Sequence, residues 1–212
     1  MRTGRFIAAV AFVIGVAACL VATPRVQAQT LDLPRARQGY YIGVGYRLTF
    51  NKVWMDNENY GVWGGSDLSL RFGQMVTRRF GMGLLIHSGG AKGDGQTAGT
   101  FGLELEGQWE LVKNLALHGG VGVDTFQVTA DDGKDKSLRG TAGSGYMLGA
   151  GYSWFFTHRL TGGWAATPRV EFRFVPGTTT QTFTTLVGVE LCWWSGLPRN
   201  QLELPPSEAF KP

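Results

Sequence analysis

Cysteine is nearly absent from this chain. Among 212 residues only Cys19 and Cys192 carry a thiol. Cys19 lies in a stretch read below as a leader, so the processed chain would keep one cysteine and no internal disulfide. Long apolar runs are missing after residue 22, which excludes a helical membrane protein. A strong excess of positive charge is missing as well. The net charge of +4 falls to +1 once residues 1–28 leave, because Arg2, Arg5 and Arg25 go with them and no acid does. The basic balance therefore belongs partly to the leader, and nucleic acid is not expected as a partner.

What is present begins with a leader pattern. Met1 to Arg5 is basic, Phe6 to Ala22 is almost wholly apolar, and the more polar Thr23 to Ala28 ends in a small residue. This reads as a cleaved secretory signal peptide over residues 1–28, with the cut after Ala28. The rival is a cut before Cys19, where Val16-Ala17-Ala18-Cys19 resembles a lipoprotein box. Export follows either way. The remaining organisation is a short segment at 29–37, one domain at 38–194, and a Pro-containing tail at 195–212.

The body carries one rhythm, repeated eight times. Tyr40, Ile42, Val44, Tyr46, Leu48 and Phe50 fall on one face of an extended segment, and Tyr41, Gly43, Gly45, Arg47 and Thr49 on the other. Side chains of a strand alternate sides, so this segment has one apolar and one polar or small face. Phe101, Leu103, Leu105, Trp109 and Leu111 oppose Glu104, Glu106, Gln108 and Glu110 in the same way. A helix would mix these sets. Equivalent alternation runs through Leu68–Phe72, Phe80–Ile86, Leu115–Val123, Tyr146–Phe156, Val170–Phe174 and Phe183–Trp193. Pro168 is the one local conflict, because it cannot donate to a ladder; a bulge or a later strand start would accommodate it.

The apolar faces carry no charge, whereas the opposite faces collect nearly all of it. That arrangement suits a narrow barrel with lipid outside and polar groups inside. The connections Asn51–Ser66, Ser88–Thr100 and Gln127–Thr141 read as long loops. Those centred on Thr77-Arg78-Arg79, Val112-Lys113-Asn114 and Thr157-His158-Arg159 read as short turns. Short periplasmic turns and longer outer loops are the habit of outer-membrane barrels. Aromatic residues fall at the two ends of the strands. Tyr40, Phe80, Trp109, Trp154, Trp164 and Trp193 form an inner belt; Phe50, Phe101, Tyr146, Phe174 and Phe183 form an outer one. The expected fold is all-β: a closed eight-stranded antiparallel up-and-down transmembrane β-barrel.

With these features the segment from Gln38 to Trp194 resembles the small outer-membrane barrels of the OmpA membrane domain, OmpX, OmpW and opacity-protein type. The resemblance rests on strand pattern, loop alternation and the aromatic-ended last strand, Phe183 to Trp194. It implies a location in the cell outer membrane with both termini periplasmic. It also implies contact with outer-membrane lipid and lipopolysaccharide, and the barrel-assembly machinery as a partner during biogenesis. That assembly signal usually ends the protein, whereas here a tail follows.

The inward charges are the candidate site: Arg47, Asp67, Arg71, Glu104, Glu106, Glu110, Asp124, Arg169, Glu171, Arg173 and Glu190. Four Arg facing seven acids read first as an interlocking salt-bridge network filling the lumen, and second as the wall of a selective channel. Glu104 and Glu106 share one face, where Arg neutralisation is a better reading than an acid–base pair. His87-Ser88 and His118 match no hydrolase motif, so no enzyme is expected. Asp131-Asp132-Gly133-Lys134-Asp135 is a partial calcium-loop pattern lacking its terminal Glu, and reads as a solvated loop. No cofactor or metal is expected. The function expected is a monomeric structural or surface-interaction barrel. The alternatives are a narrow OmpW-like conduit for small or apolar solutes, and a secreted soluble barrel of lipocalin type, which would need the opposite sidedness.

Overall fold

The computed structural model describes residues 39–56, 58–77, 79–93, 95–130, 139–156, 162–177 and 180–196. The leader with both of its possible cuts, the segment 29–37, the loop residues 131–135 and the tail beyond Gly196 lie outside the described residues.

Every strand is built on the alternation read in the sequence. The strands are β1 (Tyr40–Met55), β2 (Glu58–Met75), β3 (Phe80–Gly93), β4 (Gln96–Val112), β5 (Leu115–Ala130), β6 (Arg139–Tyr152), β7 (Gly163–Val175) and β8 (Thr180–Trp194). Trp154–Phe155 continues β6 past Ser153. Each strand pairs antiparallel with the next. The last pairs with the first, from Tyr41 opposite Trp194 to Met55 opposite Thr180. The sheet therefore closes on itself, with β6 paired to β7 from Tyr146 to Gly151 and again at Trp154–Phe155. Beside the terminal end of that seam, Ser195 N donates to Tyr40 O and Tyr40 N to Ser195 Oγ, both at 2.8 Å.

Sidedness is the reverse of a soluble barrel. Leu103, Leu105 and Val123 stand exposed on the outer wall, while Glu104, Glu106 and Asp124 are buried in the lumen. On β1 the exposed apolar run from Tyr40 to Phe50 spans ten residue steps. At ~3.3 Å per step and a tilt near 40°, that covers roughly 25 Å, the height of a bilayer's hydrocarbon band.

The strands are longer than a bilayer needs. They run 13 to 18 residues, where about 9–11 suffice. The surplus lies at the end away from the termini, and it corrects the loop reading. Asn51–Ser66 and Ser88–Thr100 are mostly strand, closed by tight turns at Asp56 (φ 51°) and Gly95 (φ 71°). Of the third stretch, Gln127–Thr141, the residues at both ends are strand as well. The barrel thus continues beyond its apolar band as a polar-walled collar. At the terminal end the turns from β2 to β3 and from β4 to β5 are short, and the third, at Thr157-His158-Arg159, lies outside the described residues. Phe80 N donates to Thr77 Oγ1 at 3.0 Å, and Asn114 adopts φ 70° between β4 and β5.

Pro168 sits inside β7 rather than before it. It pairs with Val189 of β8, and the ladder to β6 lapses opposite it, between the Gly151–Arg169 and Trp154–Ala166 pairs. The register is the same on both sides of the lapse, so neither a bulge nor a late start is needed. Ser153 and Thr167 hydroxyls meet there at 2.7 Å, inside the lumen.

Candidate functional site

The structure brings the inward charges of β1, β2, β4, β5, β7 and β8 into one layer. All eleven residues of the sequence-derived set are at most 6 % exposed. Arg71 is the hub. Its Nε donates to Glu106 Oε2 at 2.7 Å and its Nη2 to Glu171 Oε1 at 2.8 Å, and its Nη1 pairs with Glu190. Arg47 pairs with Asp67, its register partner on β2, and reaches across to Glu171. Arg169 Nη2 donates to Glu190 Oε1 at 2.9 Å, and Arg173 Nε to Glu104 Oε1 at 2.7 Å. Glu104 and Glu106 therefore each hold a different Arg. Glu110 lies toward the terminal end and accepts the Asn114 N–H at 3.0 Å.

The sheet makes room for these side chains by placing glycine next to them. Glu106 is flanked by Gly83 and Gly120, Asp124 by Gly102 and Gly143, and Glu171 by Gly149. Alternating large and small residues is how a narrow barrel fills its interior. A Cβ at Gly149 would lie 2.7 Å from both Glu171 Cγ and Val170 O. Gly149→Val is therefore expected to destabilise the barrel by about 1–3 kcal/mol through overpacking, read as a lowered urea midpoint in liposomes.

The histidines sit in the same layer. His118 Nδ1 is 3.4 Å from Glu106 Oε1 and its ring lies against Arg169. His87 stands between Asp67 and Asp124. Ser88 is exposed on the opposite face of β3, so the adjacent His87 and Ser88 cannot act on one substrate.

Two apolar clusters flank the layer. At the terminal end Tyr41, Ala165, Cys192 and Trp194 pack with Met75 and Phe155, the Tyr41 and Trp194 rings 4.7 Å apart. At the far end Val53, Met55, Trp63, Ala91, Ala98, Phe126 and Val128 fill the collar. The sequence reading left all of this second cluster except Phe126 inside its loops, although alternation continues through Val53 and Met55. The residues of both aromatic belts stand exposed on the outer wall, with Phe80 half-buried.

No protein-family model matches the sequence, and no curated protein matches it significantly. Solved structures do match. The attachment invasion locus protein Ail of Yersinia pestis aligns with 73 % of this chain and 99 % of its own, at 12 % identity and a TM-score of 0.54. Neisserial surface protein A aligns with 74 % of this chain and 97 % of its own, at 11 % identity and a TM-score of 0.50. This chain has the fold of the small outer-membrane barrels. In that fold the outer wall is the lipid-facing side, which agrees with the exposed Leu and Val positions here.

Proposed function

We propose that the protein is an integral outer-membrane barrel with a structural or surface-interaction role and a lumen that does not conduct. The observation that carries this reading is Arg71. One guanidinium joins carboxylates from β4, β7 and β8 across the lumen, and an apolar cluster lies on each side of it. A solute would have to break buried ion pairs and force both apolar clusters open, which a stable pore avoids. Purified protein showing heat-modifiable gel mobility is expected to give no discrete current steps in planar bilayers. Reproducible steps in wild-type protein would overturn the reading.

A conduit for apolar solutes would use the inward Leu85, Met147, Phe155 and Leu186. Leu85, Met147 and Leu186 are 0 %, 5 % and 1 % exposed, and Phe155 is half-buried against the terminal cluster. A soluble lipocalin-like barrel would need its apolar face inside, opposite to the placement of Leu103 and Leu105.

In this reading the collar projects from the cell and both termini are periplasmic, as the longer reach of the chain beyond the apolar band at the far end favours. Lipopolysaccharide then meets the outer belt and the collar. Lys92→Cys offers a test, because Lys92 is exposed near the far end of β3 while the native Cys192 is buried. A membrane-impermeant maleimide is expected to label the variant on intact cells and to leave the wild type unlabelled. Labelling only after the outer membrane is permeabilised would reverse the orientation.

A further inference from the structure

We propose that His87, Glu104 and Asp124 form a binding site for one divalent metal ion of the zinc class, with Asp67 orienting the imidazole. The three residues come from consecutive strands, β3, β4 and β5. His87 and Asp124 are both register partners of Gly102. Because Gly102 has no side chain, the two meet over bare backbone; a Cβ there would collide with His87 Nε2 and with Asp124 Oδ1. Glu104, the next inward residue of β4, joins them. One ligand atom from each lies within 4.8 Å of the others, and all three residues are buried.

The distances suit a single coordination sphere. His87 Nε2 is 2.6 Å from Asp124 Oδ1 and 3.6 Å from Glu104 Oε1. Tetrahedral ligands about 2.0–2.2 Å from Zn²⁺ stand roughly 3.3 Å apart, between those two values. On the other side of the ring, Asp67 Oδ2 lies 3.1 Å from His87 Nδ1. A carboxylate holding the Nδ1 proton turns the Nε2 lone pair toward the metal, the arrangement found behind most metal-bound histidines. Without a metal ion, Nε2 would need a proton of its own to bond Asp124 and Glu104. Arg173 Nη1 also lies near Nδ1, at 3.3 Å.

Two further observations point to a missing positive charge. Glu104 Oε2 and Asp124 Oδ2, the second oxygens of the two carboxylates, are buried and have no hydrogen-bond partner among the described residues, and neither has Arg173 Nη2. The buried inward groups among those residues comprise seven carboxylates and four guanidinium groups. Arg47, Arg71 and Arg169 are engaged with Asp67, Glu106, Glu171 and Glu190. Of the four, Arg173 is the one that reaches this corner; it pairs with Glu104 and stays 4.0 Å from Asp124. A buried carboxylate left without a compensating charge is costly, and a divalent ion supplies that charge. A cavity of about 20 Å³ lined by Asp67, His87, Thr100 and Asp124 adjoins the cluster. It has room for roughly one water, which would complete three protein ligands to four. Imidazole with carboxylates favours zinc-like ions over Mg²⁺ or Ca²⁺, which take oxygen alone.

The test uses the full chain, refolded into detergent with Zn²⁺ or Co²⁺ present, because all three ligands are buried. Folding is checked by heat-modifiable mobility, and metal is counted after desalting. One equivalent per folded chain is expected, with Co²⁺ giving the visible absorption of a tetrahedral site. His87→Gln and Asp124→Asn are expected to lose the metal, Asp67→Asn to bind it about 10–100-fold more weakly, and His118→Gln to keep it. Folded wild type that retains no metal would overturn the proposal and leave a proton shared by His87 and Asp124 as the bridge. Equal retention by His87→Gln, or equal loss by His118→Gln, would overturn it as well. If the variants fail to fold, the wild-type stoichiometry and Co²⁺ spectrum decide alone.

Discussion

Arg71→Met is expected to destabilise the barrel by about 3–5 kcal/mol, the range for removing one partner of a buried ion pair. The methionine would keep much of the side-chain volume, so the loss reports charge rather than a cavity. Glu106, Glu171 and Glu190 would all lose a partner at once. Glu171 would keep Arg47 and Glu190 would keep Arg169, so Glu106 is the most exposed to the loss. Adding Glu106→Gln to Arg71→Met should therefore recover some of the stability, because it removes the uncompensated charge. Urea unfolding in liposomes, run as a double-mutant cycle, measures the coupling. A drop below about 1 kcal/mol for Arg71→Met would place the side chain in water, and the lumen would then be open and wet.

The period of two is what made the wall legible. Leu103 and Glu104 cannot face the same way in a strand, and a charged face must be the enclosed one if the greasy face is not. The inward set followed from that rule alone. Strand length did not. Asn57, Gly61, Gly64 and Gly65 carry turn chemistry, so the stretch before Ser66 read as a loop, although Trp63 lies inside it as a fully buried collar residue. Loop-forming residues weaken a strand but do not forbid one when neighbouring ladders hold both sides. Pro168 misled in the same direction, since the ladder lapses at one site without a shift in register.

Partnership across the lumen was the least legible feature. Alternation says that Arg71 points inward; it does not say that Glu106, Glu171 and Glu190 await it. That depends on the stagger between strands, which accumulates around the closed sheet. The same reason hid the corner of His87, Glu104 and Asp124. His87 and Asp124 are far apart in sequence and match no ligand spacing, and only the glycine between their rows lets them touch. A run of inward glycines beside inward acids was the available signal.

The lipid-facing assignment of the outer wall makes the other large prediction. Leu105 lies near the middle of the apolar span of β4, between Phe101 and Trp109, and is 49 % exposed. Leu105→Arg is expected to cost about 2–4 kcal/mol in a bilayer, the penalty for a cation at the midplane of a barrel wall. Thr125→Arg, at the edge of the band on β5, should cost only ~0–1 kcal/mol, because its charge reaches the headgroups. The contrast between depths carries the argument. On a water-facing wall both changes would be nearly neutral, since an exposed Leu→Arg swap touches no core contact. Equal, small effects at the two positions would remove lipid from the outer wall, and the ion pairs of the lumen would then have to be explained without a membrane.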